Sequence, residues 1–465
     1  MAKLKEGSLL ASSPGEATYR LSMYRNGKRL EGPERAFNLV QFCRGWLIYN
    51  EINRPTIEAE FIFEDAAGLI GTLTGTELFK LDIETSIIDR TYWFRSFGIF
   101  DRVNASQSNQ LFKIKCFSVE HIKNESIDIF GSSDVIFNNK TETSEIIKTV
   151  LRDKRFVSTK KRVFAEQTLT KHSFIASHWR PATLIRWILD RSIRKAPKGG
   201  TLQNGFQFFE NALGFHAKSW DKMIEDIQQQ HTVKVTDDVS GKAKLYRYTH
   251  TLKSVGQEEL DQFSTIGIGY PEEGQVIEGL RHGTYAGYSV GFDPVSITSS
   301  KLGFSKDTKD PAIQYSVNQM WKKMSHLNEK KSVNPITQMD RETQIALQTP
   351  KRIRYCSLPN QNFDPKNSLN TMATYEQLAE LQAYKHMREQ SLNQLQLTLR
   401  VPGNLDLYVG YGLELQVPAN VKGAGDGGEL DRRYSGRYII TEVIHSLTET
   451  RLVTELKLRK DSILR

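Results

Sequence analysis

Several stretches of this chain carry residues whose types and spacing could do chemistry. Ser192-Ile-Arg-Lys195 has the spacing of a serine nucleophile with a lysine base. Glu58 and Glu60 stand two apart in a stretch that reads as a strand, so both carboxylates face one side, as a glycosidase acid–base pair would. The run APKGGTLQNG has the glycines of a phosphate loop, and GIGYPEEG has those of a dinucleotide loop. Each lacks what its chemistry requires. The Ser-x-x-Lys has no companion motif, and surface carboxylates are commonly only a solvated face. The first glycine run has no Gly-Lys-Ser/Thr ending, and the second is not Gly-x-Gly-x-x-Gly and opens no helix. No His-Glu-x-x-His or Gly-x-Ser-x-Gly occurs, and the 10 histidines are scattered. His445 has no ligand types spaced around it and reads as a structural histidine. The expectation is a chain without catalytic, metal or cofactor sites, not an enzyme.

The elements that would position such residues are mostly strands. TIEAEFIFED alternates Ile57, Ala59, Phe61 and Phe63 against the two glutamates. GTELFKLDI, YWFRSFGIFDRV and QLFKIKCFSVE read the same way. From about 136 the period turns helical, in TSEIIKTVLRDKR and in RPATLIRWILDRSI, where Pro181 suits a first turn and Leu184, Trp187, Ile188 and Arg191 share a face. GFQFFENALGFHAKS predicts a hairpin about Glu210 and Asn211. TYEQLAELQAYKHMREQSL predicts a helix with a Thr374/Gln377 capping box. It leads into LRVPGNLDLYVGYGLELQVP, whose glycines are expected to serve tight turns. The expected organisation is an arm at 1–30, a first tube-like β-barrel domain at 31–135 and a mixed α+β domain at 136–242. A second barrel domain follows at 243–300 and 371–465, interrupted by a polar insertion at 301–370. The fold class is mainly β with α+β insertions.

The two β-rich blocks share an order of elements. Gly75–Ile83 resembles Gly412–Val417, Tyr92–Phe100 resembles Tyr438–Leu447, and Gln110–Phe117 resembles Arg451–Leu458. A chain holding two copies of one barrel could build a ring of six units as a trimer. Pairing sheets between copies would cover edge strands that otherwise invite aggregation.

Composition bounds the rest. The 465 residues are 38% hydrophobic and 25% charged, which argues against a disordered chain. No apolar run is long enough to span a bilayer, and the first residues carry no hydrophobic signal core. Three cysteines, Cys43, Cys116 and Cys356, form neither a disulfide framework nor a zinc site. The net charge of +9 is spread along the chain. Its densest runs, Lys160-Lys161-Arg162 and the lysines at 322, 323, 330 and 331, read as solvated surface. A nucleic-acid-binding protein is the rival of a different class. It would need base-stacking aromatics beside these cations, whereas the aromatics fall on alternating strand positions.

The C-terminal quarter carries a resemblance. A helix with Tyr375 and Leu378 runs into two strands. Tyr438, Ile440, Val443, His445 and Leu447 then follow in a Tyr-x-Ile-x-x-Val-x-His-x-Leu spacing, before a closing strand. This resembles the baseplate hub protein of T-even contractile-tailed phages, the gene-27 product family, and the related VgrG hub of secretion spikes. The middle helix and hairpin and the first β block follow the family's element order. The sequence departs from the pattern where Val409-Gly410-Tyr411-Gly412 replaces a Pro-Gly, with Pro402-Gly403 earlier, and where 301–370 is long.

The resemblance implies a homotrimer with two tube-like barrels per chain. This ring would join a hexameric tail tube to a trimeric central spike and leave a channel for genome passage. It implies as partners the spike protein, the tube or tube-initiating protein, surrounding baseplate proteins, and a tape-measure protein and genomic DNA in the channel. It implies a virion location, assembly in the bacterial cytoplasm, no membrane anchor and no cofactor. A secretion or tailocin hub shares the expected fold; with the last strand near Arg465, the spike is expected to be a separate protein. The expected barrel and assembly motif comprises Gly75, Phe79, Tyr92, Tyr375, Leu378, Gly410, Gly412, Tyr438, Val443 and His445. A channel wall poor in exposed Lys and Arg is also expected, since phosphate contacts would slow DNA transit.

Overall fold

A computed structural model describes residues 14–30, 39–66, 68–106, 109–130, 142–172, 174–195, 203–233, 244–250, 262–270, 276–293, 298–299, 314–349, 352–357, 371–419, 429–448 and 451–465. The chain is mainly antiparallel β. Six strands form the first barrel: β1 (Ala17–Arg25), β2 (Cys43–Glu51), β3 (Glu58–Asp65), β4 (Leu78–Thr85), β5 (Arg90–Asn104) and β6 (Gln110–Ser118). Their spatial order is β2-β3-β6-β5-β4-β1. The alternation read in the sequence sets the faces: Ala59, Phe61 and Phe63 of β3 and Phe79, Leu81 and Ile83 of β4 are all buried. Between the end strands, the Tyr19 hydroxyl donates to the Cys43 carbonyl at 3.1 Å, and the Tyr19 ring meets Trp46 edge-on.

The strand Ala17–Arg25 corrects one expectation. It lies in the stretch read as an arm, yet pairs with β4 over eight residues, from Ala17↔Thr85 to Tyr24↔Leu78. Ala17, Leu21 and Met23 are buried, a period-2 signal diluted by the charged and hydroxyl residues between them.

The middle unit has its own core. Helices α1 (Thr143–Arg152) and α2 (Pro181–Asp190) cover a small sheet of β7 (Arg162–Ala165), β8 (Phe206–Asn211) and β9 (Gly214–Ser219). Pro181 does stand in the first turn of α2, and Leu184 and Ile188 are buried. Helix α3 (Trp220–Gln228) leaves this unit and packs Trp220, Met223, Ile224 and Ile227 into the barrel core.

The second barrel uses β10 (Lys244–Thr249), β11 (Gly267–Gly269), β12 (Leu395–Pro402), β13 (Gly412–Gln416), β14 (Gly436–Thr448) and β15 (Arg451–Lys460). Their order is β11-β12-β15-β14-β13-β10. It closes where Thr249 N–H donates to Phe263 O and Thr265 N–H donates to Thr249 O. Position for position this is the order of the first barrel. One pairing differs, since β1 runs antiparallel to β4 and β10 parallel to β13.

The register refines the repeat. Leu81 faces Tyr92, and Leu413 faces Tyr438, so the two tyrosines are equivalent, as their sequences suggest. Two residues further on, Phe94 faces Ser118, and Ile440 faces Leu458. The equivalent of Arg451 is therefore Leu111, not Gln110. A shift of one residue exchanges the faces of a strand, so burial and not residue likeness fixes this alignment. By the same register Gly412 matches Lys80, not Gly75.

A further unit joins the second barrel. Ala286–Asp293, Gln314–Ser316 and Arg352–Ser357 form a separate sheet against α4 (Thr371–Asn393). Within the segment read as a polar insertion, Tyr315, Val317, Met320, Met324, Ile336 and Leu347 make a small core with Ala383, Tyr384 and Met387 of α4. The apolar residues there are too widely spaced to show as a periodic run. Helix α4 starts at Thr371, three residues before the expected cap. The side chains of Tyr375 and Leu378, on its first turns, lie outside the described residues.

Candidate functional site

The two barrels meet edge to edge. Strand β14 has 13 residues and uses them in two halves. On one side it pairs with β15 from Ile439 to Thr448. On the other, Gly436–Ile439 pair with β13 of its own barrel, and Glu442–Thr448 pair with β2 of the first barrel. The seam runs over seven pairs, from Glu442↔Glu51 through Val443↔Asn50 and His445↔Ile48 to Thr448↔Gly45. A bulge between Ile440 and Glu442 lets one strand serve both partners. The sheet is therefore continuous through both barrels.

Val443 and His445 of the expected motif sit in this seam, both buried. His445 Nδ1 is 3.0 Å from Thr454 Oγ1. Burial, aided by the positive charge of Arg90, pushes the imidazole down to about 3, so it is neutral, as befits a structural histidine. Beside it a charged cluster ties the barrels. Arg90, which opens β5, lies 3.4 Å from Asp406 Oδ1. Lys244 and the Tyr246 hydroxyl of the second barrel reach Asp406 Oδ2 at 2.9 and 2.7 Å, and Tyr408 OH donates to Oδ1 at 2.5 Å. Residue patterns do not reveal this cluster, because Arg90 and Asp406 lie 316 positions apart.

Gly75 sits at φ +81 in the turn before β4, its N–H donating to Glu77 Oε2 at 3.0 Å. Phe79 is fully buried and stacks on Phe61 at 5.4 Å. Tyr92 stacks on Phe94, and burial pushes its hydroxyl up to about 12. Tyr438 donates from its hydroxyl to Tyr434 O at 2.6 Å. Gly410, at φ +80, makes a tight turn as expected. Gly412 does not: it opens β13, and a Cβ there would lie 2.5 Å from Ile227 and 2.8 Å from Leu245. Its job is close approach beneath α3. These residues do not form one cluster; of them only Tyr92 and Tyr438 stand at equivalent places in the two barrels.

The candidate chemistry is dispersed. Ser192 is fully buried, its hydroxyl 2.8 Å from Thr143 and 3.1 Å from His172 Nε2, closed off from substrate. Glu58 is paired with Arg54, and Glu60 lies 3.4 Å from Lys115. Lys161 departs from the solvated-surface reading. Its ammonium bridges Glu120 at 2.6 Å and the fully buried Glu210 at 2.5 Å. A cleft of about 920 Å³ on the second barrel is lined by Arg247, Lys330, Lys331, Arg432 and Arg437, among others. Two of those cations are engaged, Arg247 with Glu414 and Arg437 with Glu329. Among the described residues no group of three or more His, Cys, Asp or Glu is placed to hold a metal ion. Among the described residues no helix is long and apolar enough to cross a membrane.

No protein-family model matches the sequence, and no curated protein matches it. Solved structures are similar over most of the chain. The 43 kDa tail protein of prophage MuSo2 from Shewanella oneidensis is 8% identical, with a TM-score of 0.49, covering 96% of this chain and 100% of that one. The tail protein from Neisseria meningitidis MC58 is 10% identical, with a TM-score of 0.47, covering 96% and 98%. An Escherichia coli component of the type VI secretion system, described as similar to two T4 bacteriophage tail proteins, is 10% identical, with a TM-score of 0.39, covering 90% and 74%.

Proposed function

We propose that this chain is the structural hub of a contractile tail, three copies of which close into a ring of six barrels. The ring joins a hexameric tail tube to a trimeric central spike, and its channel passes the genome. The observation that carries the reading is the edge-to-edge seam between two barrels of one strand order. A duplicated unit already joined to its twin by a strand ladder supplies one of the two kinds of contact that a pseudo-sixfold ring requires. The motif residues then serve assembly by shaping the barrels. The same ring would suit a related secretion or tailocin particle, and which particle the chain belongs to depends on the spike that it caps.

Light scattering coupled to size exclusion tests this. The expected mass is three times the 53.1 kDa chain, unchanged by salt. A chain that stays single at its highest soluble concentration overturns the ring.

A further inference from the structure

The seam inside the chain has a counterpart that is left open. Strand β5 is the equivalent of β14 and is likewise used in halves. Arg90–Arg95 pair with β4, and Phe94–Asn104 pair with β6. On the β4 side the last backbone bond is from Ser96 N–H to Glu77 O at 2.9 Å. Beyond it, from Gly98 onward, no strand among the described residues pairs with that edge. In β14 the same edge is where β2 docks. Four of the first barrel's exposed large apolar residues gather here, Phe97 at 45%, Phe100 at 38%, Val103 at 59% and Leu111 at 36%, while Trp93 at 40% lies earlier on the strand, opposite Lys80.

The other half of the match lies in the second barrel. The equivalent of β2 is β11, the first strand in the shared order. Its inner edge bonds to β12, and its outer edge beyond Thr265 has no strand partner among the described residues. Exposed Ile266 and Tyr270 flank it. Among the described residues a Cβ at Gly267 would meet nothing within 4 Å, so the face of the strand there has room for a neighbour's ring.

We infer that the β5 edge at Gly98–Phe100 pairs antiparallel with Gly267–Gly269 of a second copy of this chain, repeating between chains the seam that β14 and β2 make within one. The inference rests on the ring reading and names its intersubunit contact. The register follows from the neighbouring strands. Ile99 faces Ile114, and His445 faces Thr454, at equivalent places. Ile48 faces Ala59, and Ile268 faces Leu399, also at equivalent places. His445↔Ile48 therefore becomes Ile99↔Ile268 across chains, with Gly98 opposite Gly269 and Phe100 opposite Gly267. Glycines on the receiving strand leave room for aromatic rings, which cover cross-strand glycine well. The left-handed Asp101, at φ 50, and the irregular register between Phe100 and Val103 end the ladder, so the contact is short and leans on its apolar flanks.

Paired residues on neighbouring strands bring Cα atoms within disulfide range. The test is the double variant Phe100→Cys, Gly267→Cys in a Cys356→Ser background, oxidised and run on a non-reducing gel, with light scattering on the same samples. The expected result is covalent dimer and trimer from this pair, and far less from Val103→Cys, Gly267→Cys, which is out of register. Hydrogen exchange on the unmutated trimer gives a second reading: the amides of Ile99 and Ile268, the alternate positions that face across the proposed ladder, should be slower than in diluted monomer. A trimer without cross-link or protection overturns this pairing and leaves the ring standing. Absence of any trimer overturns both.

Discussion

Tyr92 and Tyr438 stand at the same point of two barrels, each opposite a buried leucine, Leu81 and Leu413. From that pair the two sheets run in parallel until β14 finds β2 and β5 finds an open edge. The relation makes the barrels copies in topology, while packing around them differs. Tyr438 is anchored by its hydroxyl to Tyr434 O and lies under the Lys460 ammonium, 4.9 Å from the ring centre. Tyr92 is stacked on Phe94.

Gly410→Ala should destabilise the chain by about 2–4 kcal/mol. The left-handed backbone costs an L side chain about 1–2 kcal/mol, and overpacking adds a similar amount. The added Cβ would lie 2.4 Å from Phe209 Cζ. Gly68→Ala is the control: its φ is +78, but nothing lies within 4 Å, so only the backbone cost of about 1–2 kcal/mol remains. Urea unfolding of both variants checks this. Equal losses would mean that the Gly410 contact relaxes freely.

Lys161→Met should cost about 3–5 kcal/mol, the loss expected when a buried ion keeps no counter-ion. Glu210 is fully buried, with Ser118 and Lys161 as its side-chain hydrogen-bond partners. Adding Glu210→Gln should recover most of the loss, since the amide needs no cation. The double-mutant cycle is read by urea unfolding. A near-neutral Lys161→Met would restore the solvated-surface reading of this basic run.

What the sequence makes legible is the faces of strands and helices, and hence most of the first barrel, the middle helices and the C-terminal strands. Period 2 tells which side chains point inward but not which edges meet. The seam joins residues 45–51 to 442–448, and nothing local in either strand marks the other. Lys161 is read as solvated because its partners lie 41 and 49 positions away. Gly412 is read as a turn because the side chains that crowd it, Ile227 and Leu245, come from other elements. Strand β1 is missed because its polar positions, Thr18, Arg20 and Ser22, outweigh its small buried ones.

Stability should fall as the pH drops below about 6.5, in part through His445. Its folded pKa of about 3 lies below the ordinary value near 6.5, so the folded state favours the neutral ring. The contribution is therefore full above 6.5 and lost as the pH falls from there toward 3. His216, held at about 3 by burial, and His172, held at about 4, act in the same direction. His445→Gln keeps a polar group for Thr454 but cannot titrate. It should flatten the dependence between pH 6 and 4 by up to about 1.4 kcal/mol per pH unit. Urea midpoints across that range decide it, and identical slopes would place protons on His445 in the folded seam.

Asp406→Asn should loosen the seam more than either barrel. Asp406 lies between β12 and β13, yet receives Arg90 from the first barrel and Lys244 and Tyr246 from the second. The amide would leave two largely buried cations facing a neutral group, at a cost of about 3 kcal/mol. Because Arg90 comes from the other barrel, the loss should appear first at the shared ladder. Hydrogen exchange is expected to quicken at 45–51 and 442–448 before it does in β3, β6 or β12. Arg90→Met should reproduce the pattern more weakly, since Lys244 still neutralises Asp406. Uniform acceleration through both barrels would instead mean that the cluster supports the fold at large and not the joint between its halves.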